Sequence, residues 1–167
     1  MIRTILYILP SKQYFQSVLT VLKKETKNKE IIYVTTNKPY SHLINLFKEE
    51  KLDADKIFFI DCISEQVGAK QETSHCLFLG SPQQITGLSL AINKAVDLMS
   101  NETLVFFDSL STLLVYNNEQ VVGKFTNFLI NKLRTKNVST IMLTLESDSD
   151  KKIIKTIQSF VDEVTEI

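Results

Sequence analysis

Apolar residues fall along this chain in short unbroken runs, and between the runs they recur every three or four positions. Ile2 to Leu9 is the first run and ends at Pro10; Tyr14, Phe15, Val18, Leu19 and Leu22 then repeat on one helical face. The reading is strand, then helix. After the charged turn Lys23 to Glu30, the β-branched segment Ile31-Ile32-Tyr33-Val34-Thr35 predicts a buried second strand. Pro39 opens a short helix carrying Leu43, Ile44, Leu46 and Phe47, and Ile57-Phe58-Phe59-Ile60, closed by Asp61, is the third strand. Cys62 to Ser74 is polar and aperiodic, a loop of the kind that carries contacts or function.

The fourth strand is Cys76-Leu77-Phe78-Leu79. Ser81-Pro82-Gln83-Gln84 then supplies the hydroxyl, the first-turn proline and the glutamine of a capping box, so a helix is expected from there through Met99. Leu104 to Asp108 is a fifth strand, followed by a helix whose apolar face is Val121, Val122, Phe125, Phe128, Leu129 and Leu133. Thr140 to Thr144 is a sixth strand, Asp148 to Val161 has helical register, and Glu163 to Ile167 is left as a last strand at an edge. This alternation is what a parallel sheet with crossover helices writes into a sequence. The fold class expected is α/β: a three-layer, mostly parallel sheet with helices on both faces. No linker, repeat or low-complexity stretch divides residues 1–167, so one domain is expected.

Composition narrows the partners. Nineteen Lys and Arg balance nineteen Asp and Glu, so no net field draws in nucleic acid or an anionic membrane. The first apolar run is too short for a signal peptide, and the longest uncharged stretch, Thr73 to Asn93, is interrupted by Ser, Gln, Pro and Gly. A cytoplasmic location without a membrane span is expected. Cys62 and Cys76 lack the spacing of a disulfide framework or a zinc site and read as reduced core thiols. His42 and His75 lack paired ligand spacing and read as structural, so no metal is expected.

In an open parallel sheet, ligands bind beyond the carboxyl ends of the strands. Here these ends are Pro10-Ser11-Lys12, Thr35-Thr36-Asn37, Asp61, Gly80-Ser81, Asp108-Ser109 and Thr144-Leu145-Glu146. A phosphate loop after the first strand needs glycines, because backbone N–H groups must curl around phosphate without Cβ interference. All four glycines of the chain, Gly68, Gly80, Gly87 and Gly123, lie beyond residue 67. Lys12, beside a capping Ser11, reads as solvated, although a helix start there also favours an anion. Asp108, closing four apolar residues, has the form of a magnesium-binding strand end, and equally of a residue that bonds nearby backbone. Ser109, Ser111 and Thr112 offer hydroxyls without a histidine at a definable distance, which weighs against a hydrolase triad.

Taken together, Ile31 to Thr36, Ile57 to Asp61, Leu104-Val105-Phe106-Phe107-Asp108-Ser109-Leu110-Ser111 and the ending Asp162-Glu163-Val164 resemble the KaiC-like branch of the RecA superfamily of ATPases, and within it the short archaeal forms that lack a Walker A motif. Active members carry a glycine-rich loop after the first strand, a catalytic glutamate after the second and basic residues after a late strand. Against that pattern, Pro10-Ser11-Lys12 replaces the loop, Thr36-Asn37-Lys38 takes the place of the glutamate, and Glu146-Ser147-Asp148-Ser149-Asp150 puts acid where base belongs. Only Asp108 matches.

The resemblance implies a pseudo-ATPase with no catalytic residues and no cofactor. It would act as a regulatory or protein-interaction module with a protein partner or as a homo-oligomer. The alternative is a non-hydrolysing nucleotide or small-molecule binder using Ser11, Lys12, Thr36, Asp108 and Ser109. Whether the space after the first strand is open or filled by Tyr14 bears directly on the choice.

Overall fold

A computed structural model describes residues 1–167. Seven strands form one sheet: β1 (Thr4–Leu9), β2 (Glu30–Thr35), β3 (Ile57–Asp61), β4 (Cys76–Phe78), β5 (Thr103–Asp108), β6 (Ser139–Leu145) and β7 (Glu163–Glu166). Their order across the sheet is β4-β3-β2-β5-β6-β1-β7, and every neighbouring pair is parallel. Parallel neighbours require crossovers. Helices make all but one of them, α1 (Tyr14–Glu25), α2 (Tyr40–Glu49), α3 (Ile85–Leu98), α4 (Leu110–Tyr116), α5 (Glu119–Thr135) and α6 (Lys152–Gln158), while β3 runs to β4 through the loop 62–75. The result is the expected three-layer α/β architecture.

Both faces of the sheet are covered. On one, Leu6, Ile32, Val34, Val105, Phe107 and Met142 meet Leu88 and Ile92 of α3, Leu110 and Leu113 of α4, Leu129 of α5 and Ile154 of α6. On the other, Tyr7, Tyr33, Phe59, Phe106 and Leu143 meet Leu19 and Leu22 of α1 and Leu43 and Phe47 of α2. Alternate residues of each strand thus face opposite apolar layers, which is why the central strands read as unbroken hydrophobic runs rather than as alternation. The edge strand β7 is the exception: Glu163, Val164 and Glu166 are exposed. No helix is long and apolar enough to cross a membrane.

Local structure departs from the sequence reading at four places. The capping box at Ser81 does not form. Ser81 Oγ accepts from the Gln83 amide and Gln84 Oε1 from the Gly80 amide, so these polar groups close a turn and α3 starts only at Ile85. Ser11 does not cap α1 either. Gln13, in the left-handed region at φ 55°, occupies the cap position without a side-chain bond. The helix expected from Asp148 is cut back to Lys152–Gln158, because Glu146–Asp148 forms a separate 3₁₀ turn. Finally, α4 was not anticipated. It is seven residues long and nucleated by Ser109, whose Oγ accepts from the Thr112 amide at 3.3 Å.

Candidate functional site

The chain reverses its winding between β2 and β5. From β2 it proceeds through α2 to β3 on one side, and from β5 through α4 and α5 to β6 on the other. A crevice at the carboxyl ends of such a strand pair is the default ligand position of an open α/β sheet. Register sets Thr35 opposite Asp108. The Thr36 amide donates to the Asp108 carbonyl at 2.9 Å, Thr36 Oγ1 donates to the same oxygen at 3.0 Å, and the Ser109 amide returns a bond to Thr36 Oγ1 at 3.1 Å. The Asp108–Ser109 peptide bond is cis. Thr36, Asp108 and Ser109, singled out from the sequence, therefore meet in one hydrogen-bonded cluster.

Asp108 is fully buried. Tyr14, the first residue of α1, donates its phenol to Oδ1 at 2.5 Å, and Tyr33, on the central strand β2, donates to Oδ2 at 2.6 Å. Asn37 Nδ2 adds a long contact to Oδ1 at 3.5 Å, and its own Oδ1 is buried without a partner. Burial pushes the Asp108 carboxyl above the ordinary aspartate range, and the two phenols, the Lys38 charge and Asn37 offset only part of that. Burial and the facing carboxylate also drive both phenols upward, so Tyr14 and Tyr33 remain proton donors across the physiological range. Tyr33 is itself enclosed by Phe47, Phe59 and Phe106 at centroid distances between 5.2 and 5.7 Å.

This arrangement disfavours a divalent cation. A magnesium ion keeps several waters and needs a carboxylate oxygen facing solvent; here both oxygens are engaged and shielded. Nor do any three His, Cys, Asp or Glu side chains converge elsewhere as a ligand group. Ser11 and Lys12 stand apart. They are exposed in the turn after β1, and neither side chain makes a hydrogen bond or ion pair with the Asp108 cluster. None of the five principal surface cavities is lined by Ser11, Lys12, Thr36, Asp108 or Ser109.

Asp61, at the next strand end, is a second buried carboxylate with a different task. It accepts from the Tyr40, Ile63 and Ser64 amides at 2.7–2.8 Å and from Ser64 Oγ. It fixes the start of α2 and the entry of the Cys62–Ser74 loop. Cys62 and Cys76 are free and buried, and both histidines lie exposed, outside the core. Sequence reasoning named Tyr14 only as a residue that could fill the space after the first strand, missed Tyr33, and foresaw neither phenol's bond to Asp108. Both sit at apolar positions of their elements, and periodicity carries no sign of where a phenol points. The one available signal was a tyrosine at the head of a helix that follows a strand end.

The strand order and the all-parallel sheet are those of a RecA/KaiC-like fold. Two solved structures of the hyperthermophilic archaeon Pyrococcus horikoshii share it. A KaiC-like protein aligns at a TM-score of 0.64 and 14% identity, over 98% of this chain and 71% of its own. An uncharacterised protein, crystallised in complex with an unknown peptide, aligns at 0.73 and 15% identity, over 98% of this chain and 76% of its own. No curated protein matches the sequence. The chain belongs to the family of unknown function DUF7504, whose model matches residues 15–167.

Proposed function

We propose that this chain is a RecA/KaiC-like domain without nucleotide turnover that acts as a regulatory or protein-interaction module. The observation that supports it best is the Tyr14 phenol on Asp108. The one residue matching an active ATPase motif is buried beneath a side chain from the very segment that, in an active relative, would bend around phosphate. Phosphoryl transfer depends on positioning and charge stabilisation. On this reading Pro10-Ser11-Lys12 is a degenerate phosphate loop, and a nucleotide could engage Asp108 only after displacing Tyr14. The peptide bound to one structural relative supports a role in recognising protein segments.

A second reading, a non-hydrolysing binder of a nucleotide or other small molecule at the same strand ends, is favoured by one feature. Asn37 Oδ1 is buried beside Asp108 without a hydrogen-bond partner, and a ligand donor would satisfy it.

The test is a phosphate-release assay with ATP and magnesium, paired with calorimetry against ATP, ADP and cyclic nucleotides. The expected result is no release and no heat. Magnesium-dependent release that disappears in Lys12→Ala or Asp108→Ala overturns the first reading. Saturable heat without release, lost in Asp108→Ala, selects the second. Size-exclusion chromatography with light scattering, alone and with candidate partners, tests the interaction role.

A further inference from the structure

Away from the strand ends, α3 and α5 leave a groove between them of about 700 Å³. Both helices return against the strands in the same layer, so they lie side by side and offer a channel for a third element. On α3 its wall is Thr86, Ser89, Leu90, Asn93 and Asp97; on α5 it is Val121, Lys124, Phe125, Phe128 and Lys132. The two sets share one helical spacing, so each helix turns a single continuous stripe toward the groove.

At its middle the groove is apolar, with Leu90 facing Phe128 and polar or charged residues on either side. Leu90 is 67% exposed and Phe128 58%, and Val121 is exposed beside them. No Asp, Glu, Lys or Arg occurs from Thr73 to Asn93, so the α3 wall carries no charge before Asp97. The rim is one-sided in charge. Lys124, Lys132 and Lys136 stand against a single acid, Asp97, which Lys136 occupies at 2.6 Å. Lys124 and Lys132 make no ion pair anywhere in the chain.

We infer that the α3–α5 groove is a docking site for an acidic amphipathic helix of a partner protein. Leucine-type side chains on one face of that helix would cover Leu90, Val121 and Phe128, and carboxylates on its flank would meet Lys124 and Lys132. The inference rests on the interaction-module reading and names its surface. Apolar cover supplies affinity, and the unpaired lysines supply sign selectivity, because a basic or neutral helix would leave them unmatched.

The probe is a fluorescein-labelled synthetic helix with leucines at i, i+3, i+4 and i+7 and glutamates on its flanks. A second peptide keeps the leucines and replaces every glutamate with lysine. Fluorescence anisotropy is expected to show the acidic peptide binding at least about tenfold tighter than the basic one, with affinity falling as salt rises. Phe128→Glu and Leu90→Glu, both at exposed positions and checked by circular dichroism for unchanged melting, should each lose about tenfold or more. Lys132→Glu should invert the preference between the two peptides, a change that a merely structural lysine would not produce. Hydrogen exchange should slow in α3 and α5 when the acidic peptide is bound.

Equal binding of both peptides, no binding of either, or unchanged affinity in Phe128→Glu overturns the proposal. So does concentration-dependent self-association abolished by Phe128→Glu, which would assign the face to a second copy of this chain. Partner association seen by light scattering but indifferent to Phe128→Glu and Lys132→Glu would sink the groove while leaving the interaction-module reading in place.

Discussion

The Tyr14 phenol lies 2.5 Å from Asp108 Oδ1, joining the first turn of α1 to the end of β5 across the intervening strand β6. With Tyr33 on Oδ2, it makes a buried carboxylate tolerable by giving each oxygen a donor. Tyr33→Phe is expected to cost about 1–3 kcal/mol, because Tyr33 is wholly enclosed and no water can replace its hydroxyl. Tyr14→Phe should cost less, about 1 kcal/mol, since Asn37 Nδ2 is a second donor beside Oδ1. Urea unfolding of both single variants and the double variant measures this. Strict additivity would argue against a shared carboxylate.

Asp108 should also leave a pH signature. Its carboxyl is raised in the folded protein, chiefly by burial, so the native state holds this proton more firmly than the unfolded chain does. Below the ordinary aspartate value of about 3.9 the group is neutral in both states and carries no penalty. As pH rises through that value the unfolded chain ionises first, and the folded state loses stability until the native carboxyl has ionised too. Asp108→Asn lacks this loss. Relative to the wild type, the variant should therefore gain stability between about pH 4 and the raised native value and hold a constant difference above it. Urea midpoints across pH test it, and a relative stability that falls with rising pH would contradict the direction.

Most of the sheet was legible because its strands are buried on both faces. Ile31 to Thr35 and Leu104 to Asp108 read as continuous apolar runs since their alternate residues serve two different cores. What escaped was short or decided by polar geometry. The seven residues of α4 are too few for a periodic signal and depend on one hydroxyl cap at Ser109. The polar cluster Ser81 to Gln84 has the composition of a helix start, yet its side chains bond within a turn instead. At the site, the strand-end rule pointed to Thr36, Asp108 and Ser109, which hydrogen bonds bring together. It did not separate them from Ser11 and Lys12, because whether a turn side chain points inward or to water is not written in its position along the chain.

Asp61 invites a test of loop anchoring. Removing its carboxylate in Asp61→Ala leaves the buried Tyr40 and Ser64 amides, and the Ile63 amide beside them, without their acceptor. The expected loss is at least about 3 kcal/mol, given about 1–3 kcal/mol for each buried group left unpaired. Asp61→Asn keeps one acceptor oxygen and should lose less. Hydrogen exchange distinguishes anchoring from a general loss of stability: amides of Ile63, Ser64 and Ala69 should accelerate in Asp61→Ala before those of the central strand β2 do. Uniform acceleration through the sheet would mean that Asp61 holds no local loop structure.

The two thiols report on the other edge of the same region. Cys62 is fully buried and its thiol is pushed up to about 12 by burial and the Asp61 charge; Cys76 is nearly as enclosed and is raised for the same reasons. Thiolate is the reacting species, so the folded protein should be almost inert to an aromatic disulfide reagent near pH 8, and both cysteines should react promptly in urea. Labelling of the native protein should then proceed only through opening of the sheet edge that carries β3 and β4. Since Asp61 ties the Cys62 loop at that edge, Asp61→Ala should raise the native labelling rate of Cys62 more than Tyr14→Phe does, by about tenfold or more if opening is eased by at least 1.4 kcal/mol. Prompt labelling of either cysteine in the folded wild type would show that this edge is open to solvent.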